Sequence, residues 1–537
     1  MAAETRTGDV ITIGIDFGTT NSASYSGIAW ASSRNPTSIE VVGDWKTVLD
    51  HSSDAQKVPT QLCYSSDRDT SWGYSIPAGE DTLKWFKLLI LDEEDIPTDI
   101  ANSSQLQHTR KLLETMKKDP VDAIGCFLRY IWNHAISCIA RSIGRELLQK
   151  SRFHVVLTIP AVWPPYTRQR MMQAVRASGI LNPRDCGNTT VRFISEPEAA
   201  ALSTMWDVSD TSTVKAGDTM VICDAGGGTV DLISYVIEST HPFVVKECVG
   251  GYGELCGGVF LDEEFLKLIR DKVTPGSWSS VGIAELGKFL NDEWEYAIKP
   301  QFSNQKQTWQ VGLPESCSGP TPGRNLKRRK TIDLSSDEIF SVYNPIISKI
   351  ENLVRSQINA VQKKLQKSPN YIVLVGGFGR SPYLLTRLDT NLGVKVLQSQ
   401  EDKPWTAICR GAVICGITGH SPPPSLGVEI GARIAGRSYG GIDKHPISAR
   451  GASCIREVLV RGEDMLTKKR VRCRFSRLYS GCIGEIQDRI FACSESAPPE
   501  VWKPSDGPLC VIRWTRDIDI ESLPTYTNPL GKNPSQA

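Results

Sequence analysis

The chain contains 537 residues, with 61 lysines and arginines against 60 aspartates and glutamates, and it carries a formal net charge of +1. This balance gives no general electrostatic attraction to nucleic acid or to an anionic membrane, so neither is expected as a partner. The polar first residues, the lack of a long apolar run and fifteen scattered cysteines predict a cytoplasmic protein with reduced, mostly buried thiols.

An apolar strand that ends on a carboxylate is the first distinctive pattern. Residues 10–16 are largely apolar up to Asp16, and Gly18, Thr19 and Thr20 follow. A glycine turn lets backbone N–H groups approach an anion, and a neighbouring carboxylate can hold a hydrated divalent cation. The pattern therefore predicts a cradle for a phosphate and a metal ion.

Strands and helices alternate through the rest of the first half. Strands are predicted near residues 22–30 and 39–42, with a hairpin loop at 32–37. The segment 82–92 has apolar residues at helical spacing and predicts an amphipathic helix, on which Lys84 and Lys87 by themselves indicate solvated charges. The remaining elements predicted here are a loop at 93–109, a helix at 120–149, a strand at 153–160 and a helix at 166–179.

A second carboxylate also follows a strand. Residues 191–194 lead into Ser195-Glu196-Pro197, after which a run of alanines starts a helix. Strands that alternate with long helices in this way are typical of an α/β protein.

The first pattern then returns 208 residues after Asp16. A second apolar strand ends on an aspartate, and a glycine triplet, a threonine and another aspartate follow: Asp224, Gly226, Gly227, Gly228, Thr229 and Asp231. The repeat predicts two similar domains that face one another across a ligand. Two unrelated turns are the alternative, which does not explain why both turns carry threonine and aspartate at the same offset.

The second half is predicted to repeat the plan of the first. Residues 301–330 are predicted as an exposed loop that ends in a basic run at 324–330, for which a nuclear localisation signal is the alternative interpretation. A β-rich segment with a disordered end is expected after residue 425. The other predicted elements are strands at 232–237, 243–248 and 371–375, a glycine-rich loop at 250–258, and helices at 262–272, 283–299, 337–365 and 407–419.

Four segments together resemble one family. They are IGIDFGTTNS at 13–22, FISEPEAAAL at 193–202, VICDAGGGTVD at 221–231 and VLVGGFGRSP at 373–382. In this order they resemble the first phosphate, first connecting, second phosphate and adenosine motifs of the 70-kilodalton heat-shock proteins, the DnaK-type chaperones. Within that family, the chain looks like the divergent heat-shock-like ATPase-domain proteins common in fungi.

The resemblance covers residues 10 to about 420 and implies a fold. It is the α/β, actin/hexokinase-like (ribonuclease H-like) duplicated two-lobe ATPase fold, with a small β-rich C-terminal appendage. The boundaries predicted from it are lobe I at 10–215, lobe II at 216–420 and a truncated β-rich region with a disordered tail at 421–537.

The resemblance also implies a function. It implies an ATP hydrolase that uses Mg²⁺, works slowly, and uses ATP or ADP between the lobes as a conformational switch. It further implies a chaperone-like monomer with unfolded peptides or co-chaperones as partners. Two alternatives stay open: a degenerate nucleotide-binding scaffold without significant hydrolysis, and a small-metabolite kinase, which would need a carboxylate base beside a substrate hydroxyl.

Residue roles follow from the matching motifs. Asp16 and Asp224 would hold the water shell of Mg²⁺, Asp231 and Glu196 would place the metal or the attacking water, and Lys87 would face the γ-phosphate. The groups that would hold the phosphates are the backbone N–H groups of Gly18, Thr19 and Thr20 and the turn residues Gly226, Gly227, Gly228 and Thr229. On the adenosine side the implied residues are Gly257 and Gly258 in the cleft wall, Glu295 on the ribose, Gly376 and Gly377 beside the adenosine, and Arg380 stacked on adenine.

Three positions depart from the family pattern. Phe378 replaces a small hydroxyl residue, Asn21 replaces an aromatic residue, and Ile298 stands where a nucleotide-contacting lysine is expected. The leucine-rich acidic linker of peptide-binding members is not visible after residue 420. The sequence therefore predicts the fold more firmly than it predicts ATP affinity or peptide binding.

Overall fold

The computed structural model describes residues 9–18, 25–48, 52–53, 55–64, 70–77, 80–96, 98–161, 163–164, 166–209, 214–240, 243–273, 275–317, 330–398 and 403–418, and strand backbone at 428–434, 438–444, 453–459, 464–466, 478–479, 486–493, 510–514 and 535–536. Two units are distinguished, one comprising residues 1–245 with 251–429 and the other 246–250 with 430–537. The basic run predicted at 324–330 lies outside the described residues except for Lys330.

The first unit begins with a six-stranded sheet, called lobe I here together with its helices. Five strands lie in one row: β1 (Val10–Asp16), β2 (Tyr25–Ser32), β3 (Asn35–Val41), β4 (Arg152–Ile159) and β5 (Thr190–Ser195). Their order is β5-β4-β1-β2-β3, with β1 antiparallel to β2 and parallel to β4. The sixth, Val58–Pro59, pairs with the beginning of β2. The inner strands are buried on both faces, as their nearly continuous apolar sequences require.

A second sheet, lobe II with its helices, repeats this topology. Its strands are β6 (Thr219–Ala225), β7 (Val230–Thr240), β8 (Phe243–Glu254), β9 (Tyr371–Val375) and β10 (Lys395–Leu397). The order is β10-β9-β6-β7-β8, with β6 antiparallel to β7 and parallel to β9. The duplication predicted from the two aspartate turns is thus confirmed strand by strand.

Six longer helices cover these sheets. They are α1 (Pro120–Ile143), α2 (Tyr166–Ser178), α3 (Glu196–Ser209), α4 (Val259–Lys272), α5 (Ser336–Leu365) and α6 (Lys403–Thr418). The other described helices are Thr98–Ala101, Ser104–Met116, Arg145–Lys150, Pro275–Trp278, Ile283–Phe289 and Pro382–Asn391, with a π-helix at Leu290–Ile298. None of the described helices is long and apolar enough to cross a membrane.

Each lobe has its own core. In lobe I the rings of Phe17, Phe86 and Phe127 lie within 6.2 Å of one another between β1 and α1. In lobe II, Phe265 stacks on Trp294 with ring centroids 4.2 Å apart. The ten described cysteines are all unpaired thiols and most are buried, as the sequence predicted.

The segment predicted as an amphipathic helix at 82–92 is different in the structure. Only Leu88–Ile90 forms a short 3₁₀ turn, because Trp85 has a φ of 61° in the left-handed region, which a helix does not accept. Phe86 and Lys87 are both buried. This segment, residues 82–92, is an internal strap rather than a surface helix.

Four other predictions need correction. The predicted loop at 93–109 contains the helix Thr98–Ala101 and the first turns of the helix Ser104–Met116, which Ser103 caps. The helix predicted to reach residue 149 ends at Ile143, because Gly144 has a φ of 87°. The predicted hairpin loop at 32–37 and exposed loop at 301–330 each contain strand residues, in β3 and in Thr308–Gly312, which pairs with Thr331–Ser335.

The second unit contains the β-rich segment that was expected. Four antiparallel strands lie in the order Ser453–Leu459, Ser438–Lys444, Ile486–Cys493 and Cys510–Trp514. Val428–Ile434 pairs with Asp464–Leu466, and Leu478–Tyr479 pairs with Ser535–Gln536. The domain boundaries at 215 and 420 stay predictions.

Helix α6 packs closely on β1 and α3 because glycines face both. A Cβ added to Gly411 would lie 2.9 Å from the Cα of Ala199 in α3, and closer to its carbonyl group. A Cβ added to Gly14 of β1 would lie 2.8 Å from the backbone N of Val413. Such spacing is below van der Waals contact, so these two positions accept no side chain.

We expect Gly411→Ala to lower the free energy of unfolding by about 1–3 kcal/mol, the range for overpacking a close contact. Urea unfolding followed by tryptophan fluorescence measures this change. The matched control is Gly287→Ala in the helix Ile283–Phe289, where an added Cβ meets nothing within 4 Å. There the alanine should raise stability by about 0.5–1 kcal/mol, and equal effects of the two substitutions would contradict the packing argument.

Candidate functional site

The first aspartate turn lies at the end of β1 in lobe I. Asp16 is 3% exposed, and the Nζ of Lys57 lies 2.5 Å from its Oδ2. The backbone N–H of Gly18 donates to the hydroxyl of Ser26 at 3.3 Å. Thr19 and Thr20, predicted to donate to phosphate, lie outside the described residues, so the roles of this loop stay predictions.

The second aspartate turn lies at the equivalent place in lobe II. Asp224 on β6 and Asp231 on β7 are direct cross-strand partners, and both are buried. The Oδ1 of Asp224 has no hydrogen-bond partner among the described residues. Two neighbouring carboxylates at one register position place two negative charges at the end of a buried strand.

The carbonyl groups of the glycine turn between these aspartates are held by hydrogen bonds from the start of α4. The N–H groups of Gly257, Gly258 and Val259 donate to the carbonyl oxygens of Gly228, Gly226 and Gly227, respectively, at 2.9–3.1 Å. Gly257 must be glycine, because a Cβ there would lie 2.6 Å from the Gly226 oxygen. The start of α4 therefore fixes the carbonyl side of the turn.

The opposite side of this turn carries backbone N–H groups that can donate hydrogen bonds. The N–H of Gly226 donates to the Thr229 carbonyl at 2.9 Å and closes the hairpin. The N–H groups of Gly227 and Gly228 donate to no acceptor among the described residues. Successive backbone N–H groups without a protein acceptor form an anion-binding concavity.

Lys87 and Glu196 form a buried pair beside the first turn. The Nζ of Lys87 lies 3.0 Å from Glu196 Oε1 and also donates to the carbonyl of Phe17. The rings of Phe17 and Trp163 flank the ammonium group at 5.3 and 5.0 Å. Lys87 is 1% exposed, so it is not the solvated charge that its sequence context alone indicated.

The four carboxylates act on one another electrostatically. Burial raises the pKa of Asp224 well above its usual value, and the negative charges of Glu196, Asp231 and Asp16 raise it further, while Lys57 opposes the shift. Burial also raises the pKa of Glu196, against the opposing effect of Lys87. The structure thus brings the predicted residues Asp16, Glu196, Asp224 and Asp231 into one cluster, here called the carboxylate cluster.

The predicted adenosine residues continue from this cluster along lobe II. Gly376 has a φ of 89°, and a Cβ there would lie 2.5 Å from the Oδ1 of Asp224. An added Cβ at Gly377 meets nothing within 4 Å. Phe378 is 7% exposed, and a Cβ added at Gly258 would lie 3.4 Å from its Cβ and Cγ. Arg380, predicted to stack on adenine, lies over the ring of Trp405 at 5.5 Å.

Glu295, predicted to bind ribose, lies in a π-helix and belongs to an ion-pair network. The Nζ of Lys299 contacts Glu295 at 2.9 Å and Asp262 at 2.8 Å. Burial raises the pKa of Glu295, and Asp262 adds to this effect while Lys299 opposes it. The resemblance implied that Ile298 replaces a nucleotide-contacting lysine. The structure has a lysine, Lys299, at the next position.

Sequence reasoning missed two residues of the site. Lys57 is separated from Asp16 by 41 positions, and no local pattern marks it. Lys299 follows Glu295 by four positions, which is the ordinary spacing of a helical ion pair and could have been noticed. Both are cations that compensate buried carboxylates.

The comparisons with known proteins agree with this arrangement. Residues 138–422 match the sequence model of the family described as "Hsp70 protein". The chain is 23% identical over 497 residues to heat shock 70 kDa protein 12A of Mus musculus, which covers 76% of this chain and 69% of that protein. It is 25% identical over 506 residues to heat shock 70 kDa protein 12B of Homo sapiens, with 76% and 68% covered.

A further relative is the chaperone protein DnaK of Mycoplasma mycoides, 25% identical over 342 residues that cover 61% of this chain and 51% of that protein. The segment matched by the family model is more than half of the chain, and the duplicated two-lobe fold is that of the family. This chain therefore belongs to the Hsp70 family.

Proposed function

We propose that this chain binds ATP between its two lobes and hydrolyses it slowly to ADP and phosphate, with Mg²⁺ as the cofactor. Family membership brings ATP binding and an ATPase-type function at the level of the family. The observation that carries the finer proposal is the carboxylate cluster with two buried lysines, at the ends of equivalent strands of the two lobes.

The residues fit a phosphate group with a divalent cation. Asp224 has a buried oxygen without a hydrogen-bond partner among the described residues, and Mg²⁺ prefers such oxygen ligands, directly or through water. Gly227 and Gly228 have N–H donors suited to phosphate oxygens. Asp16 and Asp224 are the residues that would hold Mg²⁺, which when bound would neutralise phosphate charge.

The protein side chains have distinct tasks in this proposal. Lys87, held by Glu196 and the Phe17 carbonyl, is a fixed cation that would offset the charge that develops on the transferred phosphoryl group. Asp224, one of the two residues that would hold Mg²⁺, lies opposite Asp231, and Asp231 and Glu196 would place the metal ion or the attacking water. Asp231 and Thr229 complete the turn that would hold the phosphates.

We also propose that the bound nucleotide sets how far the lobes open. Support comes from the hydroxyl groups of Tyr25 in lobe I and Tyr296 in lobe II, which lie 3.1 Å apart across the cleft. The contact is solvent-exposed and would break easily. A chaperone-like role, with unfolded peptides or co-chaperones as partners, extends this proposal by analogy with the chaperone protein DnaK.

A nucleotide-binding scaffold without significant hydrolysis is the second candidate. It is favoured by Phe378, whose large ring is buried near Gly258 at the predicted adenosine side, and by Glu295, which already has an ion-pair partner. The two candidates differ in turnover and not in nucleotide binding, so a turnover measurement separates them.

We expect the native chain to hydrolyse ATP in a single turnover, and Lys87→Met and Asp224→Asn to bind ATP but hydrolyse it about 10²–10³-fold more slowly, the usual loss for one charge-stabilising group. Release of γ-labelled phosphate measures the rate. Lys84→Met, three residues before Lys87 in the same strap, is the matched control and should turn over at the native rate.

Thermal unfolding of each variant shows whether it is folded, since Lys87→Met leaves Glu196 buried without its partner. If the native chain binds ATP and does not hydrolyse it, the scaffold candidate replaces the ATPase. Native rates in both variants would contradict the assigned roles.

Gly377 offers a test of where the nucleotide lies. We expect Gly377→Ala to leave the unfolding temperature unchanged, because its Cβ meets no protein atom, yet to weaken nucleotide binding by about tenfold if the adenosine passes there. Gly376→Ala should destabilise the fold itself, because of its positive φ and the nearby Asp224. Titration with a fluorescent ADP analogue measures binding, and an unchanged affinity of Gly377→Ala would place the nucleotide elsewhere.

A further inference from the structure

Lys57 lies in the cleft although none of the four motifs contains it. It comes just before the short strand Val58–Pro59, which pairs with the beginning of β2. The side chain is 5% exposed, and its Nζ lies 2.5 Å from the Oδ2 of Asp16. A buried lysine is rare and expensive unless its charge is used, so its position needs an explanation.

The two lobes differ in the residue that lies opposite the aspartate at the end of the first strand. On β7 of lobe II, the cross-strand partner of Asp224 is Asp231. On β2 of lobe I, the equivalent partner of Asp16 is Gly27. A Cβ at Gly27 would lie 3.0 Å from Cγ and 3.2 Å from Cε of Lys57. The glycine thus leaves room for the lysine stem, where the other lobe has a carboxylate.

Lys57 also changes the charge of the site. The carboxylate cluster has four acidic groups, and the buried lysines Lys57 and Lys87 reduce its formal charge from −4 to −2. Lys87 is already bound to Glu196 and the Phe17 carbonyl. Lys57 is therefore the cation that compensates Asp16, one of the two residues that would hold the divalent ion.

We propose that Lys57 is a built-in cation of the phosphate site, which holds Asp16 and lets this chain bind nucleotide with little dependence on a divalent cation. This inference rests on the proposed nucleotide binding. The lysine is a positioning residue: it neutralises Asp16 and so lowers the negative charge that opposes phosphate before any metal ion is supplied. A cleft with Asp16 uncompensated would repel the phosphates until a divalent ion neutralised it.

The test is the affinity for a fluorescent ADP analogue, measured with excess Mg²⁺ and again with EDTA. We expect the two dissociation constants of the native chain to agree within about threefold, and those of Lys57→Met to differ by about tenfold or more, with weaker binding in EDTA. Lys57→Arg keeps the charge and should stay near the native ratio. Lys84→Met is the control for loss of a lysine outside the cleft.

A second readout needs no nucleotide. Removal of the ammonium group should expose Asp16 to divalent ions, so Lys57→Met should bind Mn²⁺ at least about tenfold more tightly than the native chain, as followed by electron paramagnetic resonance. Circular dichroism and thermal unfolding establish that each variant is folded. This measurement keeps the inference testable if Lys57→Met loses nucleotide binding altogether.

The outcomes are distinguishable. If the ratio of dissociation constants is the same in the native chain and in Lys57→Met, and Mn²⁺ affinity is also unchanged, Lys57 is a structural ion pair and the inference is wrong. If the native chain binds no nucleotide in either condition, the proposed function fails and this inference fails with it. A large native dependence on Mg²⁺ would show that the metal ion displaces the lysine, which also overturns the inference.

Discussion

The rest of the cleft depends on the burial of the carboxylate cluster, whose four side chains come from strand ends in both lobes. Charge in a protein interior is tolerated only when it is paired, hydrogen-bonded or neutralised by a proton. Each of these solutions is present: Asp16 and Glu196 have lysine partners, and the pKa of Asp224 is raised. The glycines at 27 and 376 leave the space that this arrangement needs.

The duplication distributes these charges unequally between the lobes. Both compensating lysines, Lys57 and Lys87, come from lobe I, whereas lobe II contributes the carboxylate pair Asp224 and Asp231. The two sheets nevertheless share one topology, so a common backbone plan supports different chemistry on its two sides. Lobe I is therefore formally neutral at the carboxylate cluster, whereas lobe II contributes a formal charge of −2.

Several features that depend on short-range patterns were predicted correctly from the sequence. The strands that end on Asp16 and Asp224 and the helix that starts at Glu196 are local signals, and the structure has them. Lys57 could not be predicted in the same way, because its partner lies 41 residues earlier and its meaning depends on the register of β2. The prediction of a helix in the strap around Lys87 was wrong, because the left-handed φ of Trp85 interrupts it and no short-range pattern marks that residue.

The π-helix Leu290–Ile298 makes the ion pairs of Lys299 depend on the local length of the chain. In a π-helix each backbone hydrogen bond spans one more residue than in an α-helix. Lys299 follows this π-helix directly and forms ion pairs with Glu295 and Asp262. The position of Lys299 relative to Asp262 therefore depends on the number of residues in this helix. Loss of one residue from this segment would therefore separate Lys299 from Asp262 without any change in the surrounding sheets.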